Sequence, residues 1–313
     1  MIKTSVILCT YNRSAVLSQA LESIATSRLP SSFEWEVLVV DNNSKDHTRE
    51  VVEGFCTRFP GRFRYLLERE QGLSHARNAG IREALGEIIV FTDDDVIVEA
   101  DWLYKLTAAF SHGEYAGVGG RIFPQQSFSP PRWLLSEGPR QIKGVLVLFD
   151  LGDQPLNLDR TPFGANMAFR RFVFEKYGNF RTDLGRCGDD LIGNEENEFC
   201  RRLMDGGENL RYEPSAVVYH PVPPERLTRE YFLQWFFAYG RANARQNGPP
   251  PSVWGIPENY LAIAYRTLQW LFTVNPSMRF YWKTKVWMTA GELLELHRQP
   301  ANLAGRPNAA SVK

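Results

Sequence analysis

Cysteine is scarce in this 313-residue chain: there are four, Cys9, Cys56, Cys187 and Cys200, and no two form a CxxC pair. That spacing offers no zinc ribbon and no disulfide framework, and it fits reduced, mostly buried thiols in a cytosolic protein. Net charge is absent too. Lys plus Arg number 36 and Asp plus Glu number 36, which argues against a whole-domain nucleic-acid binder, since such domains are usually basic. No apolar run reaches the roughly 18 residues of a membrane-spanning helix. The opening MIKTSVILCTYN is too short in apolar residues for a signal peptide and passes straight into strand-like sequence. There is no internal repeat. These absences place the protein in the cytoplasm, or peripherally on the inner face of the membrane. With 43% hydrophobic residues the chain can bury a sizeable core. Its length suits one large α/β domain with an appended segment.

Two hydrophobic periods alternate over the first 110 residues. SVILCTY (5–11), WEVLVVD (35–41), RYLLER (64–69) and EIIVF (87–91) read as strands. Between them Leu17, Ala20, Leu21 and Ile24 recur at helical spacing, as do Val51, Val52, Phe55 and Phe59. Ser74 is expected to cap one further helix and Asp101 another. Apolar strands alternating with helices predict a parallel sheet covered on both faces. Further strands are expected at 118–123, 144–151, 165–169 and 216–220, and a helix at 194–205.

Polar residues gather where three of these strands end: Thr10-Tyr11-Asn12, Asp41-Asn42-Asn43-Ser44 and Asp93-Asp94-Asp95. Open α/β sheets bind ligands at the carboxyl ends of their strands. Three adjacent carboxylates beside an apolar strand need a cation or strong donors to stay charged. A hard divalent ion, Mn²⁺ or Mg²⁺, prefers such oxygen ligands and commonly bridges carboxylate to phosphate. In NEENEFCRRLMDGG, Phe199, Cys200, Leu203 and Met204 define an apolar helix face at about 100° per residue. Glu196 falls near its centre, whereas Glu195 and Glu198 are expected to point away. A glutamate on an inward stripe is a candidate functional group, although glutamates at a helix start can also simply cap backbone.

VILCTYNR, VLVVDNNSKDHT, GLSHARNAGIREALGEIIVFTDDDV, GANMAFRR and NEENEFCRRL occur in that order, and the set resembles family 2 glycosyltransferases over about residues 3–222. The resemblance implies a GT-A (nucleotide-diphospho-sugar transferase) fold: a Rossmann-like, mostly parallel sheet flanked by helices, here with a C-terminal helical extension. It implies domains at 1–222 (nucleotide half 1–115, acceptor half 116–222), an extension at 223–299 and a flexible tail at 300–313. It assigns Thr10, Tyr11, Asn12 and Asp41 to the nucleotide, expected to be UDP, with Arg77, Asp93 and Asp94 beside it. Asp95 becomes the direct metal ligand, Asp93 its partner and His220 a candidate third ligand. Arg77 could instead be only a structural partner of Asp93, and His220 could be bonded locally. Glu196 becomes the catalytic base, with Glu195 the second choice. Gly119, Gly120 and Arg121 would let backbone approach the donor sugar, and Asn166 would support the acceptor-side loop.

The implied reaction is an inverting, metal-dependent transfer from a nucleotide sugar to a saccharide or lipid-linked acceptor, in polysaccharide or glycoconjugate synthesis, with no nucleic acid involved. An aspartyl-nucleophile phosphohydrolase and a non-catalytic sugar-binding module are the rival classes. Aromatic and basic residues mingle in two helical stretches, 228–246 and 258–296. They suit a membrane surface, a cover over the catalytic domain or a subunit contact.

Overall fold

The computed structural model describes residues 3–188, 190–248 and 255–298. In chain order the elements are β1 (Thr4–Thr10), α1 (Ser14–Ala25), β2 (Trp35–Asp41), α2 (Thr48–Arg58), β3 (Phe63–Leu67), α3 (Leu73–Glu83), β4 (Ile88–Asp93), β5 (Ile97–Val98), α4 (Trp102–Ala108), β6 (Tyr115–Pro124), β7 (Leu156–Asn157), β8 (Met167–Arg170), α5 (Phe172–Tyr177), α6 (Glu195–Asp205), β9 (Asn209–His220), α7 (Arg229–Asn247), α8 (Gly255–Phe272) and α9 (Pro276–Arg298).

The sheet runs β3-β2-β1-β4-β8-β6-β9-β5, with β7 paired to β9. Its first four strands are parallel: Val6 lies opposite Val37 on one side and Val90 on the other. Both faces of these strands are covered, so Val6, Leu8, Val37, Val39, Val40, Ile89 and Val90 are fully buried. This explains why they read as continuous apolar runs and not as alternation. The mixture of hands begins at β8, which is antiparallel to both β4 and β6. Phe91, Phe169, Phe174, Phe180 and Phe199 then form an aromatic cluster that ties α6 to the sheet, with Phe174 and Phe199 stacked at 5.0 Å.

Three local expectations are corrected. Ser74 does not cap α3. Gly72 holds that position, and the Ser74 hydroxyl donates to the Leu184 carbonyl. Asp101 stands at the start of α4 but makes no capping bond, because its carboxylate pairs with Lys105 at 2.8 Å. Residues 144–151 are not a strand. A single 3₁₀ turn, Lys143–Leu146, is followed by Val147 in the left-handed region and one bridge from Phe149 to Ile122. The segment is apolar because Val145, Leu146 and Phe149 are buried, not because it pairs along its length.

The chain forms two compact units. Among the described residues, one holds 3–129, 143–188 and 195–224, and the other holds 130–142, 190–194, 225–248 and 255–298. In the second unit α7 and α9 cross closely. A Cβ on Gly240 would stand 1.9 Å from the Met288 carbonyl oxygen, and one on Gly291 would stand 2.1 Å from that of Phe237. Arg241 and Arg245 both pair with Glu295 across this crossing. Trp133 packs edge-on against Phe232 and Phe280. The expected single helix over 258–296 is two. Asn275 caps α9 by accepting from the Ser277 and Met278 N–H groups at 3.1 Å, and Pro276 takes the first helical position, where its missing N–H costs nothing. The expected tail at 300–313 lies outside the described residues.

Candidate active site

The loops after β1 and β2 are stitched to one another. The Asn42 N–H donates to the Thr10 carbonyl at 2.9 Å, the Asn12 N–H to Ser44 Oγ at 2.9 Å, and the Lys45 N–H to Asn12 Oδ1 at 2.7 Å. Asn12 and Asn43 both adopt positive φ, a conformation asparagine tolerates better than most residues. Asp41 is buried beneath them, accepting from the Ser44 N–H and from the Tyr65 hydroxyl, each at 2.8 Å. Tyr11 projects outward, 39% exposed.

At the end of β4 the three aspartates diverge. Asp93, Asp95 and the end of β9, His220, bring one ligating atom each within 4.8 Å of one another. His220 Nε2 lies 3.8 Å from Asp95 Oδ1. Asp94 turns inward and is buried. Arg13 spans it and its neighbour, with Nη1 3.0 Å from Asp94 Oδ1 and 2.7 Å from Asp95 Oδ2. Burial pushes the Asp94 carboxyl up to about 7 against the pull of Arg13. Burial likewise raises Asp93, opposed by Arg77. Two carboxylates and an imidazole form a donor set that suits a divalent cation.

Arg77, from the middle of α3, is buried between this aspartate loop and α6. Its Nη1 donates to Glu195 Oε1 at 2.6 Å and its Nη2 stands 3.9 Å from Asp93 Oδ1. The guanidinium also lies over the rings of Phe91 and Phe180. Gly164 makes room for it, since a Cβ there would stand 2.1 Å from Nη2. The expectation that Glu195 points away is therefore corrected. The buried face of α6 is Glu195, Phe199, Cys200 and Leu203, whereas Met204 is only half-buried. Glu195 lies about 90° from the centre of the Phe199–Cys200–Leu203 stripe, and what takes it inside is its bond to Arg77, not the stripe. Glu196 is half-buried. Its carboxyl is raised by burial and then by the neighbouring Glu195 charge, with Arg77 opposing.

Three acceptor-side expectations meet different surroundings. Asn166 is fully buried and committed inside the protein. It accepts from Trp102 Nε1 and donates to the Arg121 and Ala216 carbonyls, each at 2.8–2.9 Å. Gly120 is small because of that amide, since its Cβ would stand 2.3 Å from Asn166 Nδ2. Arg121 pairs with Asp150 and Asp153 and donates to the Tyr212 hydroxyl. These residues brace β6 and β9. Arg13 and Gly164 went unnoticed in the sequence. Arg13 directly follows the Thr10–Asn12 loop, and that adjacency was the one available signal.

A central, mostly parallel sheet flanked by helices is the GT-A fold found in solved glycosyltransferases. The chain belongs to glycosyl transferase family 2, whose pattern matches residues 5–178, more than half its length. It is 27% identical over 239 residues to the succinoglycan biosynthesis protein ExoM of Rhizobium meliloti, covering 76% of this chain and 73% of that one. It is also 27% identical over 224 residues to a glucosyl-dolichyl phosphate glucuronosyltransferase of Haloferax volcanii, covering 70% and 69%. Among solved structures it is similar to a mannosyltransferase of Pyrobaculum calidifontis in complex with GDP-Man and Mn²⁺, with TM-score 0.63 and 20% identity over 95% of this chain and 88% of that one. The protein is thus a glycosyltransferase of glycan biosynthesis, and the phosphohydrolase and non-catalytic alternatives fall away. Among the described residues no helix is long and apolar enough to cross a membrane.

Proposed function

We propose that this enzyme transfers a sugar, with inversion, from a UDP-linked donor to a hydroxyl of a saccharide acceptor carried on a lipid. One observation carries the reading: the cluster of Asp93, Asp95 and His220 lies one arginine away from Glu195-Glu196, because Arg77 touches Glu195 and approaches Asp93. A divalent ion held by Asp93, Asp95 and His220 would neutralise charge building on the leaving diphosphate. The imidazole favours Mn²⁺ over Mg²⁺ in that role. The solved mannosyltransferase, which holds GDP-Man and Mn²⁺, supports the donor class.

Tyr11 lays its exposed ring against the base. Asp41 accepts the uracil N3–H on lone pairs left free by Ser44 and Tyr65. Glu196 takes the proton of the acceptor hydroxyl as that oxygen bonds to the anomeric carbon. The bond from that carbon to the diphosphate oxygen breaks, and its electron pair leaves with UDP. Glu195 and Arg77 position the base and do not react. The relatives act in succinoglycan synthesis and on glucosyl-dolichyl phosphate, which supports a glycan acceptor on a lipid carrier.

The test is Asp95→Ala. Transfer should vanish, and the Mn²⁺-dependent part of UDP affinity, measured by titration calorimetry, should vanish with it. Unchanged UDP binding would overturn the donor site, and stronger thermal stabilisation by GDP-sugars than by UDP-sugars would overturn uracil as the nucleobase. Arg13 has a separate role in the same reading. It bonds Asp95 Oδ2 and so fixes the carboxylate whose Oδ1 faces His220 at 3.8 Å. Arg13→Met should weaken Mn²⁺ binding, read by electron paramagnetic resonance, about 10- to 100-fold. Tighter binding in the variant would mean that Arg13 competes with the ion.

A further inference from the structure

Within the second unit, α8 is inside out. Its large apolar side chains Tyr260, Leu261, Tyr265, Leu268, Leu271 and Phe272 are all exposed, Leu261 by 71% and Phe272 by 78%. At about 100° per residue they fall within an arc of about 140° and run from residue 260 to the end of the helix at residue 272. Val274, in the turn that follows, is 93% exposed. Tyr260 and Tyr265, at the two edges of this arc, also touch His297 and Trp282 of α9, and the opposite side of α8 packs more fully. Trp270 meets Trp287 of α9 edge-on at 6.0 Å, and Arg266 donates to the Thr289 hydroxyl. α7 and α9 differ from α8: Phe232, Phe236, Phe280, Val286 and Leu293 are buried. A contiguous exposed apolar face of this size marks an interaction surface.

Charge indicates what covers it. From Asn259 to Gly291 the chain has no Asp or Glu, while Arg266, Arg279, Lys283 and Lys285 are basic. Arg279, seven residues after Phe272 in the chain, is exposed, and Lys283 lies over the Trp270 and Trp287 rings. Arg266 and Lys285 are half-buried against Thr289 and against the Phe236 and Tyr281 rings, so Arg279 and Lys283 are the charges nearest solvent, and a second copy would offer them no acidic partner from residues 259–291. An anionic lipid surface supplies the opposite charge together with an apolar phase for the stripe, the arrangement of an interfacial amphipathic helix.

We propose that the outer face of α8 lies in the surface of an anionic bilayer and holds the enzyme there without spanning it. This inference is independent of the donor site.

The experiment sediments the purified full-length protein with vesicles of phosphatidylcholine alone or mixed equally with phosphatidylglycerol. The wild type should bind the anionic vesicles at least about tenfold more strongly than the neutral ones, with binding weakened by salt. The triple variant Leu261→Ser/Leu268→Ser/Phe272→Ser should lose at least about tenfold of that binding. Because the replaced side chains are exposed, its Tm and UDP affinity should stay at wild-type values, which separates this result from any failure at the donor site. Arg279→Glu should weaken anionic binding with the apolar face intact. Equal binding by the triple variant would overturn the proposal. So would a wild-type dimer in solution that the triple variant turns into a monomer.

Discussion

Glu196→Gln is expected to lower the transfer rate by about 10²–10⁴-fold, the usual contribution of a positioned general base. Mn²⁺ and UDP affinities should stay within about twofold, because Glu196 is not among the cation's candidate ligands. The pH profile tests the same assignment in another way. A base works in its charged form, so activity should rise through the pKa of Glu196. Burial and then the Glu195 charge raise that pKa above the ordinary glutamate value, so the acid limb should lie well above about 4.3. Glu195→Gln removes the neighbouring charge and releases Arg77 towards Glu196. Both changes lower the pKa, so the limb should move to lower pH. A limb that stays in place would remove Glu196 from the role of base.

Stability gives the matching sign. A carboxyl whose pKa is higher in the folded chain than in the unfolded one loses stability as pH rises from the unfolded value through the folded one. Glu196→Gln removes that loss. Its Tm should exceed that of the wild type at pH 9 by about 2–4 °C for each kcal/mol recovered, and should match it near pH 4, where the wild-type carboxyl is protonated. An inactive variant that is also more stable is the signature of a functional group held against its solvation preference, and simple misfolding would not produce it.

The nucleotide half was legible because its strands are buried on both faces, which leaves unbroken apolar runs such as VILCT and VLVV, and because each run ends in polar residues at one sheet edge. The aspartate run was legible for the same reason, as was His220 at the end of an apolar strand. What stayed hidden depended on distance along the chain. Arg13 meets Asp94 across 81 residues and Arg77 meets Glu195 across 118, and no local pattern reports either meeting. Helix periodicity misjudged Glu195 because it reports only the apolar stripe, and Glu195 is buried by a charge partner on another helix. Residues 144–151 misled in the opposite way. Their hydrophobicity is real, but it fills space over the sheet from an irregular backbone. The outward face of α8 stayed open in the sequence between a membrane surface, a cover and a subunit contact, since an apolar stripe at helical spacing does not say whether it is exposed.

Arg77→Met is expected to damage both stability and catalysis. Arg77 and Glu195 each show only 4% side-chain exposure and sit 2.6 Å apart, so solvent screens the pair very little. Removing the cation leaves Glu195 buried without a counter-charge, a loss on the order of 3–5 kcal/mol for a pair of this kind, readable as a lower urea midpoint at unchanged slope. Deleting both charges, as Arg77→Met/Glu195→Gln, should recover much of that loss because no unpaired charge remains. The two substitutions should therefore be strongly non-additive, with a coupling of about 2 kcal/mol or more. Activity should not return with stability. Without Arg77 no cation stands between Asp93 and Glu195, and the tie between the aspartate cluster and the first turn of α6 is gone. A double variant that regains both would show that Arg77 serves only to balance a buried charge. One that regains stability alone assigns Arg77 to the geometry of transfer, because it separates holding the fold together from holding the proposed base in register with the donor.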